Sequence, residues 1–488
     1  MCGIAGVYDA GGEAGFKIIP LLAKMQNRGP QGAGVVSCDA SGAFHEVRGS
    51  GSVEAVFNSP EKVRQLPGRF AVGQVRYATF GETIQPLVWN QQGIMAALTH
   101  NGEFANAITL RARAEEQWGY KFQSTSDTEV LIPYLMYAAG ETFEEKLLEV
   151  LQSAIRGAFS FVILYDGKFY CVRDQYGFRP LAFGMEERLN IVVSESSAIE
   201  VLGGRYITDI EAGQLMVIGP SGIEKTIQWA PPTRKSCIFE HVYFANPDSY
   251  VERINVSVAR DRMGKILFEE SGWVDADVFI PILDSGLHPG LGLYEAMLEY
   301  AREHGKKPPR LKAGVHRSWF LGRTFQQEDE VSREVLQRVK SSVIKPWVED
   351  QRVILMDDSI VRGIVTRIVI QLMRLAGARE VHVRIASPPP LYPCGYGIDT
   401  YKDELIAARL NGDLEEVRRF LGADSLCYLS LEGLYRAVVG AKSPSVRGEE
   451  DFCVACFTGC YPIPFEQNRL TKPKKRGTSI FVPLTDLS

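Results

Sequence analysis

Short apolar runs separated by glycine-rich turns recur through the first half of the chain, at Gly3 to Val7, Phe70 to Val75, Ile94 to Leu98, Gly157 to Tyr165, Leu189 to Val193 and Gln214 to Ile218. Runs of this length bounded by turn residues predict strands. Between them Phe143 to Ser153 (FEEKLLEVLQS) spaces its apolar residues three and four apart, as an amphipathic helix does. Sheets flanked by helices follow, an α+β layered domain over residues 1–230. The stretch Ala230-Pro231-Pro232-Thr233-Arg234-Lys235 breaks the pattern and is expected to be a linker. Beyond it the alternation changes. Val278 to Ile282, Val353 to Met356 and Val381 to Ile385 are short apolar runs, with helical stretches such as Leu293 to Arg302 and Arg367 to Ala376 between or after them. Strand followed by helix, repeated, predicts an α/β domain built on a parallel sheet, here residues 231–465. Residues 466–488, with Lys472 to Arg476, are expected to be a solvated or packing extension.

Composition narrows the function without supplying it. A chain of 488 residues is expected to fold as two or three domains, because single cores rarely grow past about 250 to 300 residues. The net charge of -5 gives no global pull towards nucleic acid or an anionic membrane, so neither is an expected partner. No apolar stretch approaches the ~20 residues of a membrane helix, and the first residues lack the basic and apolar segments of a signal peptide. A cytoplasmic protein is expected. Nine cysteines, an odd number without an export signal, argue for catalysis or metal binding over a disulfide framework.

The candidate chemistry begins at Met1-Cys2-Gly3. Removing Met1 would leave a thiol and a free α-amine on one residue, a nucleophile that carries its own base. Behind it, polar clusters fall at strand ends and turns: Asn27 to Gln31, Val75 to Thr79, Thr99 to Glu103 and Thr125 to Glu129. In this order behind Cys2, they resemble the N-terminal-nucleophile glutamine amidotransferases, and the resemblance continues through Arg173 to Leu181 and Ser194 to Ala198. It implies stacked sheets between helices and a glutaminase site. In that site Cys2 attacks the amide, and the Asn101 side chain with the Gly102 N–H holds the oxyanion. Arg76 forks onto the substrate α-carboxylate, Asp127 takes the α-ammonium, and Arg28 orders the loop beside the nucleophile. Asn27 departs from the family, which commonly has His there.

In the second half, Val353 to Met356 runs into Asp357-Asp358-Ser359-Ile360-Val361-Arg362-Gly363. An apolar strand meets two carboxylates and then a turn that opens a helix. Such a turn offers N–H groups and a helix dipole to phosphate, while adjacent carboxylates can hold ribose hydroxyls. The string resembles the phosphoribosyl-diphosphate loop of type I phosphoribosyltransferases. Behind a glutaminase domain it identifies the chain as similar to the glutamine phosphoribosylpyrophosphate amidotransferases, supported by Phe239 to Ala245, Pro247 to Ser249, Ala259 to Gly264, Asp284 to Gly286 and Gly322 to Phe325. That resemblance implies ammonia passing through an internal channel to the second site, where it displaces pyrophosphate to give 5-phosphoribosylamine, the opening step of de novo purine synthesis. Arg323 and Lys340 would serve the diphosphate, and Ser285, Asp357 and Asp358 would hold Mg²⁺. It further implies purine-nucleotide feedback ligands and a homo-oligomer.

Departures cluster in this half. Ile364-Val365 stand where the family usually has two threonines that help bind the 5-phosphate. Asn246 replaces an arginine, Arg317-Ser318-Trp319-Phe320 replace a Lys-Asn-Arg-Tyr string, and Glu328-Asp329-Glu330 put three carboxylates in the loop expected to close over the diphosphate. Like charge there costs binding energy, and Arg323, Arg333 and Lys340 are left to offset it. The alternative function is therefore a paralogue whose glutaminase works but whose acceptor differs, or whose ammonia goes to a partner. A nucleotide-binding sensor is a third reading, disfavoured by the intact nucleophile set.

Cys453-Val454-Ala455-Cys456 alone fits a zinc half-site, a redox pair or neither. The iron–sulfur subgroup of the family implies a [4Fe-4S] cluster on Cys237, Cys394, Cys453 and Cys456, against the alternatives of zinc or free thiols. Cys460 is outside that pattern, and Cys38, Cys171 and Cys427 are expected in cores.

Overall fold

The computed structural model describes residues 1–77, 83–317, 341–398, 400–440 and 448–465. They divide into two compact units. The first takes the described residues of Met1–Ala259, Cys394–Thr400 and Val438–Asn468, and the second those of Arg260–Pro393 and Tyr401–Ala437.

The first unit stacks two antiparallel sheets. One is seven-stranded, made of β1 (Gly3–Asp9), β2 (Gly32–Cys38), β3 (Phe44–Ser50), β4 (Phe70–Arg76), β9 (Ala182–Glu186), β10 (Leu189–Val193) and β11 (Arg205–Asp209), in the order β11-β9-β10-β1-β4-β2-β3. The other is six-stranded, made of β5 (Leu87–Gln91), β6 (Ile94–Phe104), β7 (Gly157–Tyr165), β8 (Lys168–Arg173), β12 (Gln214–Gly219) and β13 (Gly222–Gln228), in the order β13-β12-β8-β7-β6-β5. Successive side chains of a strand point to opposite faces, and the central strands β1, β2, β4 and β7 are buried on both. Ile4, Tyr8, Val36 and Val72 meet Val162, Leu164, Phe169, Cys171 and Met216 between the sheets. On the other face of the first sheet, Ala5, Val7 and Val35 pack on Ile18, Leu21 and Leu22 of the helix Ala14–Lys24. The outer face of the second sheet, with Leu98, Phe159 and Phe161, is covered by Leu110, Leu135, Leu147 and Val150 from the helices Ala107–Trp118, Leu131–Tyr137 and Phe143–Ser153. Helix, sheet, sheet and helix form four layers, as expected of an N-terminal-nucleophile hydrolase domain.

The helix Phe143–Ser153 falls on its expected bounds, and Thr142 with Glu145 closes a capping box at its start. The strand expected at Ile94 to Leu98 runs on to Phe104, because Thr99, His100 and Asn101 are buried with their polar groups inside the unit. Cys38 and Cys171 lie in the core between the sheets, whereas Cys427 is half-buried, a correction to its expected core placement. The segment after Ala230 stays against the first unit: Thr233 N–H donates to Gln175 O and Lys235 N–H to Tyr176 O.

The second unit holds a parallel five-stranded sheet, in the order Arg310–Leu311, Val278–Pro281, Arg352–Asp357, Glu380–Ile385, Ser425–Tyr428. Val278, Ile280, Val353, Leu355, Val381 and Val383 form its core with Val369, Ile370 and Met373 of the helix Ile364–Leu375 and with Val417 and Leu421 of the helix Leu414–Leu421. The α/β parallel architecture is the expected one. Among the described residues no helix is long and apolar enough to cross a membrane.

Candidate functional site

Cys2 lies directly before β1 and Arg76 ends β4, its neighbour in the sheet, with Gly3 paired to Val75. Asn101 and Gly102 lie on β6, in the facing sheet. The backbone N–H of Cys2 donates to Asn101 Oδ1 at 3.0 Å, and Cys2 Sγ stands 3.9 Å from Tyr77 O, beside Arg76. The other end of the Asn101 side chain, Nδ2, is buried and has no hydrogen-bond partner among the described residues. Gly102 has φ 141°, and a Cβ there would lie 2.0 Å from Ala158 O, so no other residue fits this point of the strand.

Asp127 reaches the same end of β6. Its Oδ2 accepts the N–H of Phe104 at 3.0 Å, and Nδ1 of the buried His100 is 3.9 Å away. Burial lowers the pKa of His100, which Asp127 opposes. The imidazole is held by Thr128 Oγ1 at 2.9 Å and stacks on Phe104. The turn Asn27 to Gln31 packs on β4, with Gln31 N–H donating to Arg76 O at 3.1 Å. The four polar clusters behind Cys2 therefore converge. Of the residues expected in the site, Ala78 and Thr79 lie outside the described residues.

Arg28 is buried, bonded through Nε to Glu195 Oε1 at 2.5 Å and through Nη2 to Glu240 Oε2 at 2.8 Å. Burial alone would lower its pKa; the Glu240 and Glu195 carboxylates outweigh that and raise it. Glu195 also accepts from Asn27 Nδ2 at 2.8 Å, Asn246 N at 2.9 Å and Ser249 Oγ at 3.2 Å. Glu240 had no role in the sequence reading. Its signal was a lone carboxylate in the apolar string Phe239 to Ala245. The α-amine of Met1 is buried and lowered to about 6, first by burial, with Arg179 and Arg28 adding to the effect and Cys2 opposing it.

In the second unit, Asp357 and Asp358 stand at the carboxyl end of the strand Arg352–Asp357, the usual ligand end of a parallel sheet. Asp357 Oδ1 accepts from Asp358 N at 2.9 Å and from Ser285 Oγ at 3.4 Å, and Ser359 Oγ donates to Asp358 Oδ2 at 2.6 Å. Burial, then the adjacent Asp358, pushes the Asp357 carboxyl well above its ordinary value. Ile360 is buried, Arg362 pairs with Glu404, and Gly363 takes φ 74° where the turn opens the helix Ile364–Leu375. Val365 is exposed in the first turn of that helix. Arg323, Lys340, Arg333, Ser318 to Phe320, Gly322 to Phe325, Gln326 to Glu330 and the tail 466–488 lie outside the described residues.

Among the described residues no group of three or more His, Cys, Asp or Glu side chains stands ready to hold a metal ion. The four cysteines are nonetheless grouped in the first unit. Cys237 and Cys453 are register partners on two short parallel strands, Cys456 lies three residues beyond Cys453, and Cys394 packs against the buried cluster that holds Cys453. Burial raises the thiol pKa of Cys237 to about 11 and pushes those of Cys453 and Cys456 up as well. Cys460 is exposed.

A family model described as a glutamine amidotransferase domain matches residues 75–201. Over 475 residues the chain is 37% identical to the amidophosphoribosyltransferase of Bacillus subtilis, covering 96% of this chain and 95% of that protein. It is 38% identical over 472 residues to the amidophosphoribosyltransferase of Archaeoglobus fulgidus, covering 95% and 98%. The solved structure of glutamine phosphoribosylpyrophosphate amidotransferase from B. subtilis, complexed with ADP and GMP, superimposes with a TM-score of 0.86 at 36% identity, covering 96% of this chain and 98% of that one. Near-complete coverage of both chains at this identity, over both the layered unit and the parallel-sheet unit, leaves one conclusion: the chain belongs to the amidophosphoribosyltransferase family.

Proposed function

We propose that this chain hydrolyses glutamine at Cys2 and spends the ammonia at the Asp357-Asp358 turn. Glutamine and water give glutamate and ammonia; ammonia and phosphoribosyl diphosphate give 5-phosphoribosylamine and pyrophosphate, the first step of de novo purine synthesis. The observation that carries the reading is the Asn101 side chain, with Oδ1 on the Cys2 nitrogen and a buried, unbonded Nδ2 beside it.

In the first unit, with Met1 removed, the Cys2 nitrogen becomes an amine held by Asn101 Oδ1 and able to take the thiol proton. The thiolate attacks the substrate amide carbon. Asn101 Nδ2 and the Gly102 N–H then bond the oxyanion, a contact stronger in the transition state than in the ground state. The C–N bond breaks as the amine returns its proton to the departing ammonia, and water then hydrolyses the thioester to free glutamate and the thiol. Arg76 grips the α-carboxylate and Asp127 the α-ammonium. Arg28, committed to Glu195 and Glu240, acts by ordering the 27–31 turn on Arg76 O.

In the second unit Asp357 and Asp358 hold ribose hydroxyls, and the turn Ser359-Ile360-Val361-Arg362-Gly363 gives its N–H groups to the 5-phosphate. Arg323 and Lys340 serve the diphosphate. Ser285, Asp357 and Asp358 form a hard oxygen set with a buried carboxylate that suits Mg²⁺, which when bound neutralises charge on the leaving pyrophosphate. Cys237, Cys394, Cys453 and Cys456 suit a [4Fe-4S] cluster: Cys237 and Cys453 are buried register partners and Cys394 and Cys456 are half-buried, beside a buried arginine whose Nε and Nη1 lack hydrogen-bond partners among the described residues. When bound, such a cluster crosslinks the three segments that carry the thiols. A cytoplasmic homo-oligomer under purine-nucleotide feedback completes the proposal.

A second reading, a working glutaminase with a different acceptor, is favoured by Ile364 and Val365 at the phosphate end of the turn. One assay separates the two. Anaerobically purified, N-terminally processed protein is given glutamine and Mg²⁺ with and without phosphoribosyl diphosphate, scoring glutamate and pyrophosphate. Release of both in step is expected; glutamate without pyrophosphate sinks the first reading in favour of the second.

A further inference from the structure

Arg179 belongs to neither set of residues described above, yet its partners lead to both. Its guanidinium is buried and bonds through Nη2 to the backbone oxygen of Tyr396, while Nη1 stands 3.8 Å from Glu240 Oε1. Glu240 in turn holds Arg28. Tyr396 lies in the short segment that carries Cys394, and two residues on from Cys394 its N–H donates to the Cys394 sulfur at 3.3 Å. Gly397, the next residue, packs on the backbone of Gly102: a Cβ at Gly397 would lie 3.1 Å from the Gly102 carbonyl carbon. On the other side, Cys237 N–H donates to Phe178 O, so the residue next to Arg179 is stitched to the strand that pairs with Cys453.

The charge count has a gap at the same place. Arg28 is balanced by Glu195 and Glu240, both fully buried. Arg179 shares only Glu240, at long range, and its Nε and Nη1 have no hydrogen-bond partner among the described residues. Phe178, the residue before it, and Tyr396, which its guanidinium holds, pack with Cys453 in one buried cluster, with Cys394 against it. A buried guanidinium with two idle donors beside grouped thiols is costly unless those thiols carry negative charge.

We propose that Arg179 is a positioning residue shared by the two centres: its fork clamps the Tyr396 carbonyl, and with it Gly397, behind Gly102, while its charge and idle donors face the Cys237, Cys394, Cys453 and Cys456 group. It acts on glutamine chemistry through Gly102, and on the cysteine-bound group directly. The inference rests on the cluster proposed above for those four cysteines. Charge predicts the direction of the effect. One-electron reduction adds negative charge to a group already net negative with its four thiolates, so losing a nearby cation lowers the reduction potential. Loosening Gly102 weakens a contact made to the transition state, so kcat falls while KM holds.

The test uses full-length protein prepared anaerobically as the wild type, Arg179→Met and Arg179→Lys. Iron and sulfide content, the thermal midpoint, the reduction potential from a redox titration followed by electron paramagnetic resonance, and kcat and KM for glutamine are measured. Arg179→Met is expected to load iron and sulfide, to titrate at a lower potential, and to lose roughly 10²-fold in kcat, the size of effect a misplacement of about 1 Å produces. Arg179→Lys keeps the charge and loses the fork, so it should hold the potential near wild type and still lose kcat; it also keeps the test open should the Met variant not fold. A wild type that takes up no iron and sulfide overturns the cluster reading and the Arg179 assignment together. A loaded Arg179→Met with unchanged potential and kcat, or with only one of the two moved, overturns the shared role alone.

Discussion

Asn101 accepts the Cys2 backbone N–H on Oδ1 at 3.0 Å while its Nδ2 stays buried without a hydrogen-bond partner among the described residues. A buried amide with one idle end is costly in a resting protein, which is the mark of a donor held for something that arrives later. Asn101→Asp keeps the acceptor on the Cys2 nitrogen and removes the donor. Its kcat for glutamine should fall by roughly 10²–10³, the cost of one oxyanion donor. KM should change little, and pyrophosphate release driven by ammonium salt should hold its wild-type rate. An unchanged glutamine kcat would remove Asn101 from the oxyanion role.

Cys2→Ala tests whether the two chemistries separate. The nucleophile lies in the first compact unit and the Asp357-Asp358 turn in the second. The variant should release no glutamate from glutamine, yet form pyrophosphate from phosphoribosyl diphosphate when ammonia is supplied. Loss of both reactions in a folded protein would contradict two separable sites.

The strands and helices were legible where a local period wrote them. Phe143–Ser153 carries its own start signal in Thr142 and Glu145, and the parallel strands announce themselves as runs buried on both faces. The extension of β6 through Asn101 was not legible, because Thr99 to Glu103 look like the polar end of a strand. They stay in the sheet since groups far away in sequence receive them: Gln74 Nε2 bonds His100 O at 2.8 Å and Gln85 Oε1 accepts His100 N–H at 2.6 Å. Arg28 shows the same limit. Its partners Glu195 and Glu240 are 167 and 212 residues away, and no spacing rule reaches that far.

Two departures from the family pattern meet in the structure. Asn246 Nδ2 donates to Asn27 Oδ1 at 3.2 Å, and Asn27 Nδ2 donates to Glu195 Oε1, the oxygen that also holds Arg28. Positions that share a partner are expected to be energetically coupled, by about 0.5–3 kcal/mol for contacting residues. Asn27→Ala, Asn246→Ala and the double variant, compared by urea denaturation, should give a non-additive cycle of that size. Additivity within about 0.3 kcal/mol would mean the pair meets without consequence.

Acid should test the second unit through Asp277. The Arg352 side chain, bonded to it at 3.1 and 3.2 Å, holds its carboxyl down at about 2, against partial burial and with help from the Arg352 N–H and Arg379. A carboxyl depressed in the folded state adds stability above its unfolded pKa, and that stability is lost as pH falls through the folded value. The pair is partly exposed, so its worth is about 1 kcal/mol or less after solvent screening. Asp277→Asn should therefore be less stable than the wild type at pH 7. The gap should close as pH drops from about 4 to about 2. A difference that stays constant with pH would assign the loss to packing.

The proposed phosphate end of the second site can be tested by substitution. Ile364 and Val365 open the helix at Gly363, and the exposed Val365 side chain brings apolar surface to the turn proposed to take the 5-phosphate. A hydroxyl in that first turn could donate to a phosphate oxygen, and a hydrogen bond to a charged group is worth about 1.5–3 kcal/mol. Val365→Thr, which keeps the branched shape, should lower the KM for phosphoribosyl diphosphate by roughly tenfold, and Ile364→Thr with Val365→Thr should lower it further. The half-maximal concentration for pyrophosphate release, at saturating ammonia and Mg²⁺, measures this without involving Cys2. If the KM stays fixed in variants that fold, the 5-phosphate does not sit on this turn, and the different-acceptor reading gains accordingly.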